Sequence, residues 1–346
     1  MSVKEQLLSR IRAEGPIPFD EFMDAALYGP GGFFVGEELR SVKAGDFLTS
    51  PEVSPFFGQM IGRFVEQERA RWGEPFRVVE VGAGSGSLLR SLRVDIETWA
   101  VEVSPGAREA LEKILPSGRV IAKLGEAFGP GVVIANELLD NLPMAVAVRR
   151  GSGWSEQSVG EENGELVMVE HAARPEVASW ADAFSGKVAE GGLVEVQLRA
   201  GQWLVDALRR LGKGAVVVID YGGTAEELEH RRVAGTLRTY RSHHLGPDPL
   251  FEPGETDITA DVNFSALLAM GSQEGAEVEL HRQDDFLSDM GLREEVAVLR
   301  REELELARRG DEIARLKVRS RRIEAETLLN PRGLGDFRVL VARLSG

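Results

Sequence analysis

"VVEVGAGSGSLL", residues 78–89, is a short apolar run that passes directly into three glycines at alternate positions, Gly82, Gly84 and Gly86. A strand that ends on bare glycine backbone leaves room for a ligand to approach closely. A helix starting at Ser87 would complete a strand–turn–helix unit. Outward from it, strand candidates at Trp99–Val103, Val132–Ala135 and Ala215–Asp220 alternate with segments that can begin helices at Pro105 and Glu137. Such alternation predicts βαβ units and an α/β fold with a mostly parallel sheet. A helix near 264–270, a strand at Glu277–His281, helices through 284–328 and the alternating "FRVLVARL" follow. This ending predicts that the last pair of strands runs antiparallel on the sheet edge.

Residues 1–72 are expected to form an N-terminal helical cap. Ser50-Pro51 and Ser54-Pro55 each pair a capping serine with proline at the first helical position. Phe57, Met60, Ile61, Phe64 and Val65 then recur at helical spacing. The main domain is expected over 73–346, with three insertions. In 144–200, "AVAVRR", "GWSEQSV" and "ELVMV" are separated by turn signals and read as a β-meander followed by a helix. Residues 222–263 are polar and punctuated by glycine and proline, as an active-site loop would be. Residues 284–328 form a helical excursion. There Leu299, Leu304, Leu306, Ile313 and Leu316 suit either the core or a homodimer face.

The 346-residue chain is 28% charged, with a formal net charge of −15. Diffuse nucleic-acid or anionic-membrane binding is mostly electrostatic and is not expected of so acidic a chain. It contains no cysteine. Disulfides, zinc–thiolate sites and cysteine nucleophiles are excluded, and a reducing, cytoplasmic location is expected. The amphipathic opening, MSVKEQLLSRIRAEG, lacks the apolar core of a secretory signal, and no apolar run is long enough to span a membrane.

Three details indicate what the glycines cradle. The third glycine falls at Gly86, so the spacing is G-x-G-x-G rather than the G-x-G-x-x-G of dinucleotide sites. Glu80 stands at the strand's carboxyl end, where it would repel a pyrophosphate and attract an ammonium group. Glu102, with Val103 beside it, closes the second strand, where a carboxylate can accept bonds from both ribose hydroxyls. A nucleoside with an amino-acid tail meets all three conditions, and S-adenosylmethionine (SAM) is such a molecule. Glu80, Gly82, Ala83, Gly84, Gly86, Glu102 and Val103 are therefore expected cofactor contacts. The adenine is placed near Leu124, Gly125 and Glu126. A nicotinamide-dependent oxidoreductase would need Glu80 to be harmless and Ser87 to replace a glycine.

"VVEVGAGSG" with "VEVS" resembles the class I SAM-dependent methyltransferases. "FMDAALYGPGGFF", "GDFLTSPEVSPFFGQMIG", "ANELLDNLPM", "VVVIDYGG" and "GTLRTYRSHHLGPDPLFEPGETDITADVNF" narrow the resemblance to the MidA-type family, over roughly residues 15–290. That family includes a mitochondrial protein arginine methyltransferase involved in assembly of respiratory complex I. The resemblance implies a seven-stranded Rossmann-like sheet with an antiparallel last strand. It also implies that residues 45–54, including Ser50 and Pro51, and the 222–263 loop lie over the cleft.

Methyl transfer is an in-line displacement, so the expected site residues are ones that position the acceptor. Asn136 and Glu137 follow the fourth strand, with Asn136 assigned to the cofactor. Glu137 and Asp140, three apart on a helical turn, could share a face and hold a guanidinium. They could equally serve a helix N-terminus. Asp220, in Asp220-Tyr221-Gly222, is a second candidate wall. His243, adjacent to His244, is a candidate general base. His243, Asp257 and Asp261 match no strong metal spacing, and no metal is expected. Tyr28, Phe33 and Phe34 could line the cleft or pack in the cap. A protein side chain is the expected acceptor, arginine by resemblance. A small-molecule N- or O-methyltransferase and a SAM-binding assembly factor without catalysis remain open.

Overall fold

The computed structural model describes residues 1–35, 49–125, 129–241 and 244–345. The valine-rich segments form a seven-stranded sheet: β1 (Arg77–Val81), β2 (Glu97–Val101), β3 (Val120–Ile121), β4 (Gly131–Asn136), β5 (Gly214–Asp220), β6 (Glu277–Arg282) and β7 (Arg338–Leu344). The order across the sheet is β3-β2-β1-β4-β5-β7-β6. Strands β1 to β5 are parallel, and β7 runs antiparallel to both β5 and β6. The final strand thus inserts beside β5 and leaves β6 at the edge. Every residue of β4 and β5 is buried. Continuous Val/Ile runs are what parallel strands covered on both faces require.

The two faces are covered by different helices. On one, the helix Pro55–Trp72 packs Phe57, Met60, Ile61 and Phe64 against Val78, Val132 and Val217. The C-terminal helices Leu292–Arg309 and Glu312–Leu328 complete this layer through Leu299, Val318 and Ala325. Leu304, Ile313 and Leu316 face solvent. On the other face, Leu204 and Leu208 of the helix Leu198–Leu211 and Leu267 of Phe264–Gln273 cover Val133, Val216 and Val218.

The meander strands are Ala145–Arg150, Gly153–Glu162 and Glu165–Ala172. They join Leu193–Val196 and the two-residue Ile17–Pro18 in a separate antiparallel sheet. Helices Val3–Glu14 and Phe19–Tyr28 pack on this sheet and on Ile258 and Ala260. The expected N-terminal cap therefore divides. Its first two helices belong to the meander layer, whereas Pro55–Trp72 belongs to the central sheet. The 222–263 segment is more regular than its composition suggests. It contains the strand Arg238–Arg241, paired with His244–Leu245 and Asp257–Thr259.

The helix expected from Glu137 does not form. Glu137 has φ of 50°, and only the 3₁₀ turn Leu139–Asn141 follows. Pro143 disfavours helical backbone at the residue before it, and the turn's amides bond across the sheet instead. Among the described residues, no helix is long and apolar enough to cross a membrane.

Candidate active site

The carboxyl ends of β1, β2, β4 and β5 open into two adjoining cavities. The first is lined by Glu80, Gly82, Ala83, Gly84, Glu102 and Val103, with Asn136 and Glu137 from the end of β4. Gly82 and Gly84 sit at φ of 71° and 50°, which turns their backbone towards the space. Glu102 is fixed by this turn. Its Oε2 accepts the Gly84 N–H at 2.9 Å and its Oε1 accepts the Ser104 N–H at 2.8 Å. Each oxygen keeps a further lone pair for a ribose hydroxyl.

Glu80 is 4% exposed, and its Oε2 has no hydrogen-bond partner among the described residues. Burial, with the charge of Glu102 beside it, holds its carboxyl well above the usual carboxylate range. A buried carboxylate oxygen without a donor is costly, and a ligand ammonium relieves that cost. The Asn136 Oδ1 is also buried without a partner among the described residues. The aromatic wall is Tyr28 stacked on Phe34, with ring centroids 5.5 Å apart. The Tyr28 hydroxyl donates to the Asn141 carbonyl at 3.3 Å. Phe33 is buried in the cap core. These residues fit SAM. They offer an unpartnered carboxyl oxygen for its ammonium and a second carboxylate for its ribose, and the described lining holds no cation for a phosphate.

The second cavity is lined by Asp140, Tyr221, Arg238, Tyr240, Asp257 and Phe337, and it shares Glu137 and Asn141 with the first. Glu137 therefore stands where the two meet. Its φ lies in the left-handed region, which costs an L residue about 1–2 kcal/mol. Its N–H donates to the Ile219 carbonyl at 2.8 Å. Its Oε1 accepts from the Ser50 N–H and from Asn136 Nδ2, both at 3.3 Å. Burial, reinforced by Asp140, pushes its carboxyl up to about 8. Asp140 is 4% exposed. Its Oδ2 accepts from the hydroxyls of Tyr221 and of Thr259, the latter at 2.6 Å, and its Oδ1 has no partner among the described residues. Burial raises its carboxyl as well. The cations of this cavity are largely engaged: Asp261 pairs with Arg231 and with Arg238, the latter at 2.5 Å, and Arg238 lies over the Tyr221 ring at 5.0 Å.

Asp220 is fully buried and lines neither cavity. Its Oδ2 accepts the N–H groups of Leu139 and Asp140 at 3.0 and 3.3 Å, and its Oδ1 that of Tyr221 at 3.0 Å. It ties the β5 end to the turn that carries Asp140. Asp220→Ala should leave these amides unbonded and lower unfolding free energy by about 2–4 kcal/mol, measured by denaturant titration.

The other expected contacts are placed variously. Pro51 lines the first cavity. Ser50 is fully buried beside it and reaches the site through its N–H. Gly86 lies outside the cavity, at the start of the helix Ser87–Ser91. A Cβ there would meet Ile114 Cδ1 at 2.5 Å. Gly125 is also outside, because Arg210 draws the carbonyls of Leu124 and Gly125 towards the helix Leu198–Leu211 at 3.2 and 2.9 Å. Glu126, His243 and residues 45–48 lie outside the described residues. Among the described residues no acidic or histidine cluster has a metal-site arrangement. Sequence reasoning missed Asn141, whose Nδ2 donates to Asp257 Oδ1 at 2.8 Å. Its place in "NELLDNLP", directly after Asp140, was the available signal.

The family described as "Putative S-adenosyl-L-methionine-dependent methyltransferase" is matched by residues 60–281. The chain is 28% identical over 373 residues to the Homo sapiens protein named protein arginine methyltransferase NDUFAF7, mitochondrial, spanning 95% of this chain and 80% of that one. It is 30% identical over 343 residues to the Danio rerio protein of the same name, spanning 86% and 78%. The crystal structure of a "likely methyl transferase" from Burkholderia thailandensis bound to S-adenosyl-homocysteine superposes with a TM-score of 0.85 at 30% identity, over 99% of this chain and 91% of that one. These names correct the cytoplasmic expectation, since the curated relatives are named as mitochondrial. Absence of cysteine is compatible with any compartment, so it had no power to locate the chain.

Proposed function

Since this chain belongs to the MidA-type family of SAM-dependent methyltransferases, we propose that its second cavity receives a protein arginine and that Glu137 and Asp140 hold the guanidinium for methylation. The observation that carries this reading is that Glu137 lines both cavities, so one carboxylate faces the cofactor and the acceptor together. The names of the curated relatives support a protein arginine as acceptor. The order β3-β2-β1-β4-β5-β7-β6 with β7 reversed supports the class I Rossmann-like arrangement. On this reading the cap is the first two helices, and the methyltransferase domain takes in Pro55–Trp72 and carries the three insertions.

When bound, SAM supplies an electrophilic methyl carbon, which passes to the acceptor nitrogen as the carbon–sulfur bond breaks and its electron pair stays on sulfur. Glu80 meets the ammonium and Glu102 the ribose. The unpartnered oxygen of Asp140 and the carboxylate of Glu137 accept N–H bonds from the guanidinium. They hold its positive charge away from the attacking nitrogen, whose lone pair is then free to align. That nitrogen carries one proton more than the product retains. Glu137, a carboxylate made unusually basic by burial, is placed to take it.

The ionised form of Glu137 both grips the cation and accepts the proton. Below pH about 8 the carboxyl is mostly protonated and does neither well. With an arginine-containing peptide as acceptor, kcat/KM should therefore rise with pH with a midpoint near 8. A flat profile through that range would contradict the role given to Glu137.

A further inference from the structure

Glu137 is supported from outside the cofactor and acceptor walls. Its carboxylate accepts the backbone N–H of Ser50, the first residue of the short helix Ser50–Val53. The Ser50 hydroxyl in turn accepts from Gln283 Nε2 at 3.4 Å. Gln283 begins the helix Gln283–Asp289 and is fully buried. The same Nε2 donates to the Leu334 carbonyl at 2.9 Å, and the Gln283 backbone N–H donates to the Phe337 carbonyl at 2.8 Å. Gly333, Asp336 and Phe337 of that loop line the second cavity, and Pro51 of the helix lines the first. One side chain thus braces a wall of each cavity, although the two walls are far apart in sequence.

Stability alone does not favour glutamine here. Its Oε1 is buried with no partner among the described residues, and an unsatisfied buried amide oxygen is a net cost that an aliphatic side chain would avoid. What glutamine adds is a donor that fixes the Ser50 hydroxyl and the 334–337 loop together. We propose that Gln283 is a positioning residue for methyl transfer, acting through Ser50 to hold the Glu137 carboxylate at the junction of the two cavities. This rests on the reading of Glu137 given above.

The charged and titratable neighbours of Glu137 come from several elements. Asp140 lies on its own turn, Glu52 on the Ser50–Val53 helix, and Asp220 at the end of β5. Across the acceptor cavity are Tyr221, Arg231, Arg238, Tyr240, Asp257, Asp261 and Asp336, and across the cofactor cavity Tyr28, Glu80 and Glu102. Neither Gln283 nor Ser50 carries a charge. Substituting them changes the hydrogen bond to Glu137 and leaves the other charges in place. The Ser50 N–H favours the ionised carboxylate, so its displacement drives the carboxyl further up.

The test compares Gln283→Met, which keeps the chain length and removes the donor, with Ser50→Ala, which removes the hydroxyl that receives it. Both are assayed for kcat/KM against pH with an arginine peptide, for S-adenosylhomocysteine affinity by calorimetry, and for thermal unfolding. The expected result is a pH midpoint displaced upward by about 1 in both variants and a lower kcat, with affinity for S-adenosylhomocysteine falling by less than kcat does. A wild-type midpoint near 8 that neither variant moves, with any lost activity tracking lost thermal stability, overturns the positioning role alone. A wild type without that titration overturns the reading of Glu137, and this inference with it.

Discussion

Glu137→Gln should lower kcat by about 10²–10⁴-fold and make the protein more stable. Both effects have one cause. The carboxyl is raised to about 8 in the folded chain, against 4.5 when unfolded, by burial and by Asp140. The unfolded chain therefore loses this proton first as pH rises, and the folded state becomes progressively disfavoured between those two values. The stability at stake is fully present below the lower value and lost as pH passes the upper one. Its full size is about 5 kcal/mol, and exposure of the side chain to the open cavity trims it to about 2–3 kcal/mol. Glutamine has no such titration. Its gain in stability should be large at about pH 9 and small at about pH 5, as read by thermal unfolding at the two pH values. Single-turnover assays give the loss in rate. A variant that is inactive and less stable at high pH would show that Glu137 is a structural residue rather than a strained functional one.

Gly84→Val should weaken S-adenosylhomocysteine binding on the order of 100-fold. Gly84 sits at φ of 50° on the wall of the first cavity, and its N–H is the donor that holds Glu102. A β-branched residue is strained at that φ. Its methyl groups would also occupy ligand space, so both effects act on the cofactor. Gly86 provides the contrast. A Cβ there meets Leu111 and Ile114 rather than the cavity. Gly86→Ala should therefore cost stability and leave binding per folded molecule unchanged. Calorimetry and thermal unfolding on the two variants separate the effects. Equal binding by Gly84→Val and wild type would misplace the cofactor.

What could be read from the sequence was local chemistry. The β1 turn, Glu80 and Glu102 lie close together along the chain, and the roles proposed for them follow from adjacency to strand ends. The paired approach of Glu137 and Asp140 to one cavity was also legible, though through the wrong backbone. The spacing predicts a helical turn, whereas Glu137 is left-handed because Ile219, on a distant strand, takes its amide. Asp220 misleads for a related reason. A carboxylate at a strand end looks the same whether it faces a substrate or three backbone amides, and only the packed turn distinguishes them. Gln283 and Leu334 carry no motif at all, since their meaning arises from tertiary contact with Ser50. The double duty of the N-terminal region was equally hidden. Helical periodicity reports which face is buried and says nothing of which sheet buries it.

The most direct test incubates the protein with methyl-labelled SAM and an extract of its source cells, then hydrolyses the labelled protein to amino acids. Label should appear as methylated arginine in the wild-type reaction and form at least about 100-fold more slowly with Glu137→Gln. Label in another amino acid or only in small molecules, or an undiminished signal from the variant, would contradict a guanidinium held between Glu137 and Asp140.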